Sequence, residues 1–272
     1  MPRSRHRFQG FRMDDSLSDA ARLVQRHDRE RFATALFAPA PKRESLFTLY
    51  AFNVELANIR PSVREPTAGL IRLQWWREVL SGNRCDEARR HPVAGRLLEL
   101  GIPEEEAEAM LEARERDLEQ TPFEDMAALE RYASATGGLL TRWACRALGG
   151  GDAVAQQTGN DVGMAFALVG LVRSLPFHAN AGWMTLPGGV APDRGKAAEQ
   201  VAPILDRAEA LLAGARSVRP GKETVAALLP ATIASVHLSV IRKCGGDPFD
   251  SRIALPRTSP MRLLINSIRG RY

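Results

Sequence analysis

The chain is poor in cysteine and histidine and has no long apolar run, and each shortage excludes something. Its three cysteines, Cys85, Cys145 and Cys244, lie far apart, are odd in number and form no CxxC pair. A disulfide framework or structural zinc site is therefore not expected, and a reducing compartment suits them. The five histidines, His6, His27, His91, His178 and His237, are dispersed, with none in a metal-ligand spacing such as HExxH. They read as single solvated or hydrogen-bonded residues. The longest apolar stretch, GMAFALVGLV at 163–172, is about half of the roughly 18 residues that mark a membrane span. Alternating apolar and polar runs are scarce, so few strands are expected.

What is present is helical pattern almost throughout. From Ser18 to Phe37, Ala21, Val24, Phe32 and Leu36 recur at helical intervals behind Ser18, a suitable N-cap. Prolines at 39 and 41 stop this run. Further helices are predicted near 43–59, 67–80, 92–100, 103–119, 124–148, 153–175, 193–216, 221–244 and 259–269, separated by Gly and Pro clusters. No repeat and no long linker divides the chain, which points to one all-α domain. The opening MPRSRHRFQGFR is basic but lacks the apolar stretch of a targeting segment. Residues 1–14 read as a flexible basic arm and 15–272 as the domain.

Charge narrows the partners only partly. The formal net charge is +5 and the sequence pI is near 9.5, which permits attraction to phosphates, nucleic acid or an anionic membrane surface and selects none of them; nucleic acid is not among the expected partners. Asp14, Asp15 and Asp19 straddle a helix start, where carboxylates favour the helix dipole, and EEEAE at 104–108 sits behind Pro103 in the same way. The glycines at 149–151 lack the strand and spacing of a dinucleotide loop and read as an inter-helix turn. In the tail, Met261, Leu264, Ile265 and Ile268 recur at helical spacing beside Arg262, Arg269 and Arg271. Packing of that face into the core is the favoured reading, and an anionic membrane surface is the alternative.

The richest signal is LYAFNVELANIRPSVREPTAGLIRLQWWREVL at 49–80, preceded by KRESLF. With HPVAGRLLEL at 91–100, ARERDLEQTPFEDMAALERYASATGG at 113–138 and LVRSLPFHANAGWMTLP at 171–187, it resembles the squalene/phytoene synthase family of head-to-head prenyl synthases. The resemblance implies an isoprenoid-synthase-like helical bundle around a central cavity. It also implies two Asp-rich motifs holding Mg²⁺ against a prenyl diphosphate, since such a leaving group needs hard divalent cations. The first motif's carboxylate positions fall here on Ala57, Asn58 and Pro61. Counting back from Leu186 and Pro187, Arg173 matches the second motif's arginine and its acids fall on Ser174, Phe177 and His178. All six ligand positions are vacated.

Residues that match the family elsewhere are candidate cavity or anion-binding groups: Arg43, Tyr50, Asn53, Glu55, Arg72, Trp76, Tyr132 and Arg173. Glu55, Glu65 on the other side of Pro61, and Asp117 are the acids near the vacated motifs and the ones that an atypical metal site would recruit. Pairing of Glu55 with Arg60 or Arg72 is the plainer reading. Within the family, AFNVELANIRPSVREPTAGLIRLQWW and the ending SIRGRY resemble the subgroup that lacks the Asp-rich motifs and contains the mitochondrial complex I assembly factor. That resemblance implies a non-catalytic protein with no cofactor, serving assembly of NADH:ubiquinone oxidoreductase. Its partners would be complex I subunits or assembly intermediates, a lipid or isoprenoid ligand, and an anionic membrane. The expected location is the cytoplasmic or matrix side, peripheral at the inner membrane. The alternatives are a prenyltransferase with an atypical Mg²⁺ site and an isoprenoid or lipid carrier.

Overall fold

The computed structural model describes residues 17–119, 121–183, 186–189, 195–254 and 259–272. The arm assigned to residues 1–14 lies outside them. The described residues are helical, with no strand among them.

Local chemistry explains where the first helices start and stop. Helices α1 (Asp19–His27) and α2 (Arg29–Ala35) replace the single helix predicted over 18–37. Ser18 Oγ accepts from the Ala21 amide at 3.0 Å, as an N-cap does. Asp28 then leaves helical geometry, at φ −140° and ψ 70°, and its carboxylate accepts from the Arg31 amide and guanidinium. It closes one helix and caps the next. Helix α3 (Ala40–Ala57) begins at Pro39 and Pro41, whose missing amide donors cost nothing in a first turn. Helix α4 (Ile59–Ser62) is a single turn, and α5 (Pro66–Leu80) follows.

The remaining elements complete the bundle. Helices α6 (Cys85–Arg90) and α7 (Ala94–Glu99) form a short pair, of which the periodicity had shown only the second. Helix α8 (Glu104–Glu119) carries its acids in the first turn. Over 124–148 one predicted helix becomes α9 (Met126–Ala133), a π-helical turn (Ser134–Gly138) and α10 (Leu139–Leu148). Helix α11 (Ala153–Asn180) runs past Pro176, beyond its predicted end. It is followed by α12 (Ala197–Ser217), α13 (Val225–Leu228), α14 (Pro230–Lys243) and α15 (Pro260–Ile268).

Helix α11 is the centre of the packing, against α10, α12, α14 and the π turn. By length and composition it is apolar enough to cross a membrane. Its buried positions, from Ala155 through Val162 and Leu168 to Leu175, instead face neighbouring helices, which is how an apolar core helix looks. Gly137 and Gly163 permit the closest approach: a Cβ on Gly163 would lie 2.0 Å from the Gly137 carbonyl oxygen. Backbone therefore meets backbone where the π turn crosses α11, and that crossing forms part of the cavity wall.

Helix α15 corrects an expectation. Only Leu263 of this helix is buried, against Val225, Leu229 and Ile233. Met261, Leu264, Ile265 and Ile268 are exposed, Ile268 at 76%. The face favoured for core packing is turned outward, because Leu263 and the Asn266 to Thr232 hydrogen bond fix the helix by its other side.

Candidate functional site

A cavity of about 450 Å³ opens between α3, α4, α8, the π turn and α11. Helical spacing assembles it. Asn53 and Ala57 on α3 and Pro61 on α4 repeat every four residues and share one face. On α11 the lining residues Phe166, Ala167, Gly170, Leu171, Ser174, Phe177 and His178 repeat at three and four. Ala57, Pro61 and Phe177 form an exposed rim, whereas Arg31, Asn53 and Thr136 are buried inside.

The wall is cationic. Arg31, Arg60, Arg114 and Arg116 line the cavity, against Asp117 as the one carboxylate among its described lining residues. Asp117 is already held: its carboxylate accepts from Arg114 at 3.1 Å and from the Tyr132 hydroxyl at 2.9 Å. Arg114 also donates to Asn53 Oδ1 at 2.9 Å and to the Tyr132 oxygen at 3.1 Å. This network joins α3, α8 and α9, and burial drives the Tyr132 hydroxyl pKa upward, so it stays a neutral donor.

The other cations are arranged differently. Arg31 is only 7% exposed, pairs with Asp28 at 2.8 Å and stacks over Phe166. Arg116 donates to the Pro122 carbonyl and lies over Phe123, with no carboxylate partner among the described residues. Its buried Nε has no hydrogen-bond acceptor. Arg60 donates to the Val63 carbonyl and lies over Trp183, whose ring packs on His178 and Phe177. Burial pushes the His178 pKa below its ordinary value, with Asp117 opposing weakly, so the ring is neutral at pH 7.

The structure sorts the residues singled out in the sequence. Five of the six vacated ligand positions, Ala57, Pro61, Ser174, Phe177 and His178, line this one cavity. Asn58 does not: one residue beyond Ala57, it is turned away and exposed at the end of α3. Among the candidate cavity groups, Asn53 and Tyr132 line the wall. Arg43 instead donates to the carbonyls of Leu36 and Ala38 at the end of α2. Tyr50 and Trp76 are buried in the core. Arg72 is exposed and donates to Ser62 Oγ, tying α5 to α4.

Glu55 faces the other way as well, toward His91, whose pKa its charge pulls up against a larger downward push from burial. Arg60 and Arg72, its expected partners, donate to the Val63 carbonyl and to Ser62 Oγ. Arg173 pairs with Glu30 at 3.1 Å outside the cavity. Arg31, Arg114, Arg116 and Trp183 are among the lining residues that the sequence reading does not single out. Arg31 was hidden by an expected continuous helix over 18–37, and Trp183 by its place in a loop. The two arginines of RERD were overlooked beside its aspartate.

These residues do not fit a divalent-metal diphosphate site. Such a site needs several hard oxygen ligands around each ion. The wall offers a single carboxylate already committed to Arg114 and Tyr132, and four arginines that repel cations. Among the described residues no three His, Cys, Asp or Glu side chains converge as a metal site.

Comparison with known proteins gives the framework. The family model for squalene/phytoene synthase matches residues 24–259. The chain belongs to the squalene/phytoene synthase family. It is similar to the NADH dehydrogenase (ubiquinone) complex I assembly factor 6 of Mus musculus, 29% identical over 272 residues, which cover 92% of this chain and 81% of the relative. It is also similar to presqualene diphosphate synthase of Rhodopseudomonas palustris, 24% identical over 159 residues, 57% of each chain. In fold it resembles the crystal structure of a dehydrosqualene synthase, with a TM-score of 0.72 and 18% identity, over 92% of this chain and 94% of the other. The all-α isoprenoid-synthase-like bundle is thus shared with synthases.

Proposed function

We propose that this chain is a non-catalytic member of the family that acts in assembly of respiratory complex I, with complex I subunits or assembly intermediates as its partners. The observation that carries the reading is the cavity itself. It persists, but Ala57, Pro61, Ser174, Phe177 and His178 stand where prenyl diphosphate chemistry needs carboxylates, and four arginines line the wall around them. Relatives that match 92% of the chain bear the assembly-factor name, which supports the same reading. No metal or organic cofactor is needed for it.

Location completes the reading. The exposed apolar residues of α15 lie beside Arg262, Arg269 and Arg271, and we assign this face to an anionic lipid surface at the inner membrane. A helix of nine residues is about 14 Å long. It offers far less than the roughly 800 Å² per partner of a stable protein interface, so lipid is favoured over a second copy.

Two measurements test the role. Incubated with Mg²⁺ and farnesyl or geranylgeranyl diphosphate, the purified protein should release no pyrophosphate above a no-protein control. Deleting the gene in its host should lower assembled complex I and NADH-driven respiration and leave isoprenoid pools unchanged. Mg²⁺-dependent pyrophosphate release, or depleted isoprenoids with normal complex I, would return the chain to the synthases.

A further inference from the structure

The mismatch between the cavity and a metal site has a positive counterpart. A wall with four arginines and one neutralised carboxylate attracts anions as strongly as it repels Mg²⁺. Two of those arginines have capacity to spare. Arg31 is buried and gives one terminal nitrogen to Asp28, while Arg116 gives one to the Pro122 carbonyl and leaves its buried Nε without an acceptor among the described residues. Guanidinium forks of this kind match phosphate oxygens in pairs. The rest of the lining is largely apolar: Phe166, Ala167, Gly170 and Leu171 present one α11 face, and the Arg31 and Arg116 guanidinium groups lie over the Phe166 and Phe123 rings. A volume of about 450 Å³ lies within the range of small-molecule sites, roughly 300–1,000 Å³.

We infer that this cavity binds an apolar chain ending in a phosphate monoester, directly on Arg31 and Arg116 and without any divalent cation. The charge balance favours the monoester. Four arginines less Asp117 and less Asp28, the partner of Arg31, leave a balance of about +2, which matches the roughly −2 charge of a monoester and falls short of the larger charge of a diphosphate. His178 and Trp183 line the same cavity beside Arg60. The inference stands apart from the assembly role, since the site binds its ligand whether or not complex I is the client.

Dodecyl phosphate, kept below its micelle concentration, is the probe, read by titration calorimetry on the full chain. Binding should be equal in EDTA and in Mg²⁺. Dodecanol and inorganic phosphate should each bind about tenfold or more weakly, because each lacks half of the contacts. Arg116→Gln and Arg31→Gln should each weaken dodecyl phosphate by about tenfold, with dodecanol unchanged. Arg31 also packs in the core, so if Arg31→Gln loses its helical circular dichroism, Arg116→Gln decides alone, with Arg72→Gln as the surface control. Farnesyl phosphate in a parallel arm identifies the chain: tighter binding than dodecyl phosphate assigns an isoprenoid, weaker binding a straight acyl or alkyl chain. Binding that requires Mg²⁺, dodecanol binding as tightly as its phosphate, no binding of either phosphate, or an Arg116→Gln protein with unaltered affinity would each overturn the inference.

Discussion

Trp76 and Trp183 both stack on a histidine and a second aromatic ring, yet one cluster is solid and the other borders a void. Trp76 meets Phe52 at 4.8 Å, Trp75 at 4.9 Å and His91 at 5.5 Å, and is 3% exposed. His91 Nδ1 accepts from the amides of Val93 and Ala94, so even the polar atom is spent on backbone. Trp183 meets His178 at 5.3 Å and Phe177 at 5.7 Å beneath the Arg60 guanidinium, and Phe177 is 60% exposed. Residue type does not separate the two clusters. Position does: the first is enclosed by the core and is scaffold, whereas the second lines the cavity.

The largest effect should come from emptying the solid cluster. Trp76→Ala removes a fully packed aromatic and should cost about 3–5 kcal/mol, seen as a large fall in the denaturation midpoint. Trp183→Ala at the half-open cluster should cost about 1 kcal/mol or less while changing phosphate-ligand affinity. Equal losses of stability at the two sites would erase the distinction.

A smaller effect tests how the scaffold side is anchored. Trp143, tilted against Phe52 at 6.4 Å, donates its indole N–H to Glu106, which also accepts from Arg142 and Arg146. Burial raises the Glu106 carboxyl, but these partners outweigh it and leave its pKa below the ordinary value. A carboxyl depressed on folding stabilises fully above its unfolded pKa and loses that contribution as pH falls through the folded value. Glu106→Gln should therefore cost about 1.5–3 kcal/mol at neutral pH, and the deficit should shrink on acidification below about pH 4, measured by chemical denaturation.

These contrasts show what the sequence made legible. Helices and the all-α class were readable because period 3.6 is a property of consecutive residues, and vacated positions 57, 61, 174, 177 and 178 do share one cavity. Capping breaks were less visible: Asp28 splits a continuous pattern only because its carboxylate reaches Arg31. The face of a long charged side chain was hardly visible at all. Arg43, Arg72 and Arg173 have cavity-type spacing but end on backbone carbonyls, Ser62 and Glu30, since such chains reach whichever acceptor lies nearest. For α15, spacing could not say which side of an amphipathic helix would find a partner.

The two histidines sharpen the comparison by titration. Burial lowers both, with His91 opposed by Glu55 and His178 by Asp117. A base whose folded pKa is depressed is neutral in the native state while the unfolded chain protonates, so stability falls as pH drops through about 6.5. Both should contribute to this loss in the free protein. A phosphate bound in the cavity adds negative charge near His178 and none near His91, so ligand should raise the His178 pKa alone. Imidazole proton shifts, followed by NMR with and without dodecyl phosphate, check this; coupled movement of both rings would merge the clusters.

The smallest expected effect concerns α15, on the outer surface. Met261, Leu264, Ile265 and Ile268 are exposed and enclose no volume, so the lipid surface proposed above would meet them as a flat apolar partner. Arg262, Arg269 and Arg271 on the same segment would favour an anionic one. Each arginine near such a surface contributes about 1 kcal/mol, screened by salt within a Debye length. Arg269→Gln should therefore weaken co-sedimentation with phosphatidylglycerol vesicles by about fivefold at low salt, and leave thermal stability and cavity binding unchanged. Ile268→Asp should weaken it further by putting charge in the apolar stripe. Phosphatidylcholine vesicles should bind neither the variants nor the parent. Salt-insensitive binding, or vesicle binding indifferent to Ile268→Asp, would mean that another surface meets the lipid and that exposure on α15 carries no role of its own.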